Sequence, residues 1–413
     1  MIKSFNLYLL LMVMLLTLLG SCGKEENSGT EIPSVPEPTT ESSNIIEVTT
    51  PGELNSAIKL AKAGDTIIIH GGTYAMNSKI SIYASGSEEE MIVLMADPNE
   101  NRPKLDFSSM SESSSNQGIL LNADFWHIKG IDIFNAGDNG MKIQGSNNLI
   151  EFCTFSECSD TGLQIDSGAA NNTILNCDSF FNADSSIENA DGFACKLTAG
   201  SGNSFIGCRA WQNLDDGYDG YLRGSDNITT TYENCWAIKN GYLQDGSSGG
   251  GDGNGFKTGG SDDKTLKHNA IYTRCIAVGN TADGLDHNSN RGTVTIYNCS
   301  AYNNGNNYHF STTNALEKLT IKNSLSFGEK GKTDANVTDI SHNSWMNGIT
   351  VTEDDFRSME VSELTSERKT DGSLPDISFM HLTEESNLID AGVDVGIPFN
   401  GIAPDLGAFE YKN

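Results

Sequence analysis

Cysteine recurs through the middle of this chain at a spacing that few folds accommodate. Phe152-Cys153-Thr154-Phe155, Asn176-Cys177-Asp178-Ser179, Gly207-Cys208-Arg209-Ala210, Asn234-Cys235-Trp236-Ala237, Arg274-Cys275-Ile276-Ala277 and Asn298-Cys299-Ser300-Ala301 align on the sulfur. Asn323-Ser324-Leu325-Ser326 continues the series without it, and the successive cysteines stand 24, 31, 27, 40 and 24 residues apart. A period near 24 with occasional insertions marks a solenoid with one structural unit per coil. The strand-like segments within each period are only three to five residues long. They are too short for a helical repeat, which predicts an all-β, right-handed parallel β-helix. Equivalent positions of stacked coils lie about 4.8 Å apart. The cysteines are therefore expected to form an internal ladder of reduced, buried side chains. Cys158 and Cys195 fall outside that column, and no cysteine–histidine spacing suited to zinc occurs.

Around this core the chain divides by composition. Lys3 and the apolar run from Leu7 to Leu19 have the form of a signal peptide over residues 1–21. The run closes on Leu19-Gly20-Ser21-Cys22, which resembles a bacterial lipobox and implies lipidation of Cys22. Lys24-Glu25-Glu26 is similar to acidic tags that send lipoproteins to the outer face, so a surface-exposed outer-membrane lipoprotein is expected, with the lipid as its only membrane contact. Residues 22–45, rich in Ser, Thr, Pro and Glu, are read as a flexible tether. The β-helix is expected over 46–345. A short capping helix over 51–63 carries Leu54, Ala57, Ile58 and Ala61 at helical spacing and precedes a strand at Thr66-Ile67-Ile68-Ile69. Residues 346–413 lose the repeat and are expected as an irregular tail that packs on the β-helix or caps it. A formal net charge of −29 argues against nucleic acid and anionic membrane surfaces as partners.

A second column follows the cysteines. Gly140, Gly162, Gly192, Gly217, Gly255 and Gly284 occupy one corner of successive coils. Before them stand Asn139, Thr161, Asp191, Asp216, Asn254 and Asp283; two places after them stand Lys142, Gln164, Ala194, Asp219, Lys257 and Asp286. Asn or Asp before Gly is ordinary turn chemistry, which suffices for Asn139, Asn254 and Asp283. It does not account for Asp215, Asp216 and Asp219 together, one coil from Asp191. Carboxylates this close repel unless a cation sits among them. Calcium, with six to eight oxygen ligands and loose geometry, suits the group better than magnesium. Lys257 shares the column of Asp219 one coil further on and follows the glycine-rich insertion Ser247-Ser248-Gly249-Gly250-Gly251. A cation beside it favours the neutral amine while the carboxylates favour the charged one, so the residues alone leave the sign of its pKa shift open.

The run from Asp191 through Lys257 resembles family 9 of the polysaccharide lyases, right-handed β-helices related to pectate lyases. The resemblance spans roughly residues 46–345 and includes the closing segment from Pro404 to Tyr411. It implies that Asp191, Asp215, Asp216 and Asp219 hold a catalytic calcium ion and that Lys257 is the Brønsted base. The implied reaction is β-elimination within an anionic pectic polysaccharide, either homogalacturonan or the rhamnogalacturonan I backbone, by a monomeric enzyme. Arg223 and His287 are near enough in the column to be weak candidates for substrate contact. A hydrolase on the same fold is disfavoured, since the Gly-His-Gly and Arg-Ile-Lys strings of such pectin hydrolases do not occur and a base lysine would have no role. Two alternatives remain: a lyase for another uronic-acid polymer such as alginate or chondroitin, and a non-catalytic surface glycan-binding protein.

Overall fold

The computed structural model describes residues 44–412. The leader over 1–21, Cys22 and nearly all of the tether lie outside the described residues. The described chain winds into a right-handed parallel β-helix with three sheets. The first sheet has 12 strands, from Ile45–Val48 to Val337–Ser341. The second and third have 10 each, from Thr73–Ala75 to Leu325–Phe327 and from Ile80–Ile82 to Gly331–Thr333. Coils thus begin well before the first cysteine of the series. Asp132 pairs with both Thr154 and Lys104, which places buried Ile131 and Pro103 in line with Cys153. The position takes a buried apolar side chain, and cysteine is one way to fill it.

All eight described cysteines are free and buried. Along the ladder, Cys153 N donates to Cys177 Sγ at 3.4 Å and Cys275 N to Cys299 Sγ at 3.3 Å. Cys299 N donates in turn to Ser324 Oγ at 3.3 Å, so the serine continues the column. The helix runs over Pro51–Leu60 and covers the first coil with Leu54, Ala57 and Ile58. Its end falls short of residue 63 because Ala61 already has an extended backbone (ψ 143°).

Two further ladders hold the coils in register. At the corner between the second and third sheets, Asn182, Asn213, Asn240, Asn280 and Asn304 each pass Nδ2 to the Oδ1 of the next, the last to Asn307, at 2.8–3.0 Å. Most also donate to a main-chain carbonyl, as Asn240 does to Ala210 O, so a corner that would otherwise bury unpaired amides is satisfied throughout. Inside the barrel, Phe193, Tyr218 and Phe256 stack with centroids 5.4 and 4.6 Å apart. Phe205, Tyr232 and Tyr272 do the same from the first sheet at 5.3 and 4.8 Å. These six rings lie directly behind the acidic corner and favour one packing there.

Past Ser341 the coil ends, and the tail runs along the outer face of the second sheet. Trp236, Ile238, Ile276, Val278 and Leu325 form a second apolar core with tail residues that include Phe356, Leu364, Phe379 and Leu406. The tail covers this flank because the second sheet's outward positions are apolar there. A buried clamp secures it. Asp178 accepts from Arg209 Nε and Nη2, both at 2.8 Å, and from Arg368 Nη2 at 2.7 Å. Arg209 also donates to Leu364 O and Ser366 O, and Arg368 to Cys177 O and Gly207 O. Burial alone would raise the Asp178 pKa, but the Arg368 and Arg209 charges outweigh it and hold the carboxyl below its usual value. A depressed folded pKa contributes stability above the unfolded value, near 3.9, that is lost as pH falls through the folded value. The unfolding midpoint should therefore fall on acidification below about pH 4, and less steeply in Asp178→Asn. Arg368→Ala should cost about 2–3 kcal/mol through lost charge-assisted hydrogen bonds and hasten protease cleavage within 346–412, measured by thermal melting and limited digestion.

Candidate active site

The acidic corner sits on the third sheet, where strand alternation decides which side chains face outward. Tyr218 and Phe256 point inward to the aromatic stack, so Asp219 and Lys257 point out. The observed register pairs Lys142 with Gln164, Gln164 with Ala194, Ala194 with Asp219, Asp219 with Lys257 and Lys257 with Asp286. The column expected from the glycine spacing is therefore the column observed. Gly217 makes it possible, since a Cβ there would stand 2.6 Å from Gly255 O and 2.7 Å from Asn240 Nδ2.

The residues before the glycines form a linked series of their own. Asp191 Oδ1 accepts from Asp216 N at 3.2 Å, and Asp216 Oδ1 accepts from Asn254 N at 2.8 Å and Asn254 Nδ2 at 2.9 Å. Asn254 Oδ1 then accepts from Asp283 N at 3.1 Å. One oxygen of each aspartate thus serves the coil stack; the other oxygen of Asp191 accepts from Thr161 Oγ1 at 3.0 Å and from Lys196 Nζ at 2.6 Å. Asp191, Asp215 and Asp216 each bring a carboxylate oxygen within 4.8 Å of the others'. Asp219 accepts from Tyr221 N at 3.0 Å and completes the acidic face. Asp283 and Asp286, in contrast, share His309, at 2.7 and 3.5 Å.

Lys257 Nζ lies 2.8 Å from Asp252, 3.0 Å from Asp216 and 3.9 Å from Asp219. On the opposite side, Lys196 Nζ lies 2.6 Å from Asp191 and 3.3 Å from Asp219. Neither Lys196 nor Asp252 was apparent from the repeat. Lys196 stands outside the column and reaches back into it with a long side chain. Asp252 comes from the insertion, whose path the period does not specify. Gly251 lets that loop lie flat against the site, since a Cβ there would meet Asp215 Cα and Leu214 O at 2.7 Å.

Charge crowding shifts these groups strongly. Burial, then the neighbouring Asp191 charge, pushes Asp215 up to about 7. Burial likewise raises Asp191, and Asp216 well above the carboxylate range, against the pull of the lysines. Asp219 is held low because Lys257 and Lys196 outweigh its burial. Burial opposes the charged form of Lys257, but Asp216, Asp219, Asp215 and Asp252 prevail, so its proton is held far more tightly than usual. The sign that was open from the residues alone is thus upward for the chain by itself. Asp216, fully buried, also keeps an Oδ2 that accepts no hydrogen bond even with Lys257 Nζ 3.0 Å away. A buried carboxylate oxygen whose one close partner is a lysine, beside two further carboxylates, belongs to a donor set suited to a hard cation.

Asp191, Lys196, Asp215, Asp219 and Lys257 line a cleft of about 670 Å³, with Tyr221 and Arg223 beside them and Asp216 buried behind. Arg223 is mostly exposed, its Nε 3.4 Å from Asp262 and its guanidinium over the Tyr221 ring. His287 does not line the cleft. Its ring is buried, with nitrogens 3.2 Å from His309 O and 3.3 Å from Thr313 O, because the chain turns it inward after Asp286.

Comparison with known proteins matches residues 37–344 to the family model described as Pel9A-like, right handed beta helix region. The chain belongs to that family, polysaccharide lyase family 9. It is 37% identical over 374 residues to pectate lyase L of Dickeya chrysanthemi, covering 87% of this chain and 86% of that one. It is 40% identical over 368 residues to pectate lyase L of Paenibacillus polymyxa, covering 83% and 80%. The crystal structure of pectate lyase Pel9A superposes with a TM-score of 0.82 at 33% identity, over 90% of this chain and 97% of that chain. A rhamnogalacturonan lyase superposes with a TM-score of 0.73 at 26% identity, over 83% and 97%. This member of the family is accordingly a polysaccharide lyase. Because Gly217 lets the coil carrying Asp216 and Asp219 seat against its neighbour, Gly217→Ala should lower stability by about 1–3 kcal/mol through overpacking. Misplacement on the ångström scale should lower kcat/KM about a hundredfold, read from melting curves and product absorbance.

Proposed function

We propose that this lyase cleaves galacturonate-containing pectic polysaccharide by calcium-dependent β-elimination, with Lys257 as the base. The observation that carries the reading is Lys257 in register with Asp219, at the edge of three aspartates whose carboxylate oxygens lie within 4.8 Å of one another. The relatives' names, pectate lyase and rhamnogalacturonan lyase, support that substrate class, and homogalacturonan and rhamnogalacturonan I are the backbones proposed.

Asp191, Asp215, Asp216 and Asp219 would hold the cation. Calcium bound there would neutralise these carboxylates and draw electron density from a uronate carboxylate. Lys257 would then lose the company that keeps it protonated, and its Nζ would be free to take the C5 proton. The C5–H electron pair forms the C4–C5 double bond as the bond to the O4-linked sugar breaks. The departing oxygen takes up a proton, and the new end is a 4,5-unsaturated uronide. Lys196, on the other side of Asp219, keeps a second positive charge in the cleft, where it offsets the acidity of the wall facing an anionic chain. Arg223, exposed at the rim, would contact the polymer. Attachment of a monomer to the bacterial outer surface through lipidated Cys22 belongs to the same proposal and is supported by the Leu19-Gly20-Ser21-Cys22 string.

Unsaturated uronides absorb in the ultraviolet, which separates a lyase from a protein that only binds glycan. Lys257→Ala should lower the rate of absorbance increase on pectic polymers by about 10²–10⁴-fold, the usual contribution of a general base. Full activity in that variant would remove the lysine from the mechanism. Chelation should abolish turnover, with calcium restoring it and magnesium failing to. Calcium should also raise the unfolding midpoint of the wild type, and Asp216→Asn should blunt that rise.

A further inference from the structure

We propose that Lys196 competes with the divalent cation for two of its aspartate ligands and so sets the calcium concentration at which the site fills, an inference that rests on the reading above. Lys196 directly follows the strand Phe193–Cys195. Strand alternation puts it on the same outward side as Ala194, which pairs with Asp219. Ala194 is the smallest side chain in the outward column from Lys142 to Asp286. A methyl group there leaves the path from Lys196 back to Asp191 open. The ammonium ends 2.6 Å from Asp191 Oδ2 and 3.3 Å from Asp219 Oδ2.

Those two oxygens are the ones a metal would take. Asp191 Oδ1 accepts from Asp216 N, and Asp219 Oδ1 from Tyr221 N. Oδ2 of each is the oxygen that no main-chain group holds, and Lys196 Nζ touches both. An ammonium and a divalent ion on the same oxygens stand in close like-charge contact. Filling the site therefore means breaking the Lys196 contacts. Lysine suits such an exchange, with a compact charge on a flexible stem, and its 17% exposed side chain has the cleft to move into. Lys257 competes less directly at Asp219, since it lies 3.9 Å away and its nearer partners are Asp252 and Asp216. Giving up a charge-assisted hydrogen bond weakens calcium binding by about ten- to a hundredfold. That places the site with the calcium sites of extracellular modules, at about 10⁻⁴–10⁻³ M. The chain thus supplies its own cation to Asp191 and Asp219 where calcium is scarce, and exchanges it where calcium is plentiful.

The test is titration calorimetry with calcium on the full chain and on Lys196→Met, Lys196→Gln and Lys196→Arg. Met and Gln remove the charge, and binding should tighten about ten- to a hundredfold from a wild-type Kd of about 10⁻⁴–10⁻³ M. Arg keeps the charge and should bind calcium much as the wild type does. In chelator, the unfolding midpoints of the Met and Gln variants should fall below that of the wild type, because two buried carboxylates lose a counter-ion. Saturating calcium should restore them. A merely structural lysine would lower the midpoint in both conditions and leave Kd unchanged. The calcium concentration for half-maximal product absorbance should fall by the same factor as Kd. Equal or weaker calcium binding in both uncharged variants, or a midpoint deficit that calcium does not repair, would overturn the proposal. If Lys196→Met does not fold, Lys196→Gln, which keeps a polar end, carries the comparison. If the wild type binds calcium but forms no unsaturated product, the lyase reading fails, and the calorimetry still decides the role of Lys196.

Discussion

Coil-on-coil register is the constraint on which everything else in this protein depends. Parallel strands about 4.8 Å apart bring each side chain against its equivalent one coil away, whatever the number of residues between them. Main-chain hydrogen bonds set the spacing, but they would tolerate a slip. The asparagine ladder from Asn182 to Asn307 does not, because each amide must meet both a neighbouring amide and, for most rungs, a carbonyl. Aromatic rings stacked behind it add a second set of contacts that one register satisfies. Insertions of different lengths therefore leave the stack undisturbed.

The same constraint makes the acidic corner possible and costly. Like charges on neighbouring coils are forced together, and the chain alone answers by raising Asp191, Asp215 and Asp216 while two lysines hold Asp219 low. Each aspartate of the series before the glycines spends one oxygen on the coil stack, so removing the charge also loosens the scaffold. Stability for this arrangement comes from elsewhere: the buried ring stacks, the cysteine and asparagine ladders, and the clamp of Asp178 with Arg209 and Arg368 that seals the tail on the second sheet. A rigid frame carrying a frustrated site is the usual division between parts that fold and parts that react.

Much of the column was legible before any coordinates, for a physical reason. A strand alternates with period two and a corner glycine recurs wherever backbones approach closely, so the glycines align the residues on either side of them. That logic placed Asp219 beside Lys257 and Asp191 one coil from Asp216. It was blind to side chains that enter from outside the period. Lys196 reaches in from a neighbouring position, Asp252 arrives on an insertion, and His287 turns into the wall although its column number suggested the cleft. The cysteine series alone does not mark the first coils, because Ile131 and Pro103 stand there where cysteine stands later. The asparagine ladder was present only as a high asparagine content, since its meaning lies in pairings between residues up to 40 positions apart.

The sequence by itself determined the solenoid, its reduced cysteine core, and which carboxylates and which lysine share a corner. These follow from local alternation and a repeat, which need no knowledge of long-range packing. Only the tertiary structure decided the ionic partners of that lysine, the direction of its pKa shift and the flank the tail covers. Such properties depend on the sum of distances to charges and donors brought in by loops and long side chains. A repeat pattern carries no record of those distances.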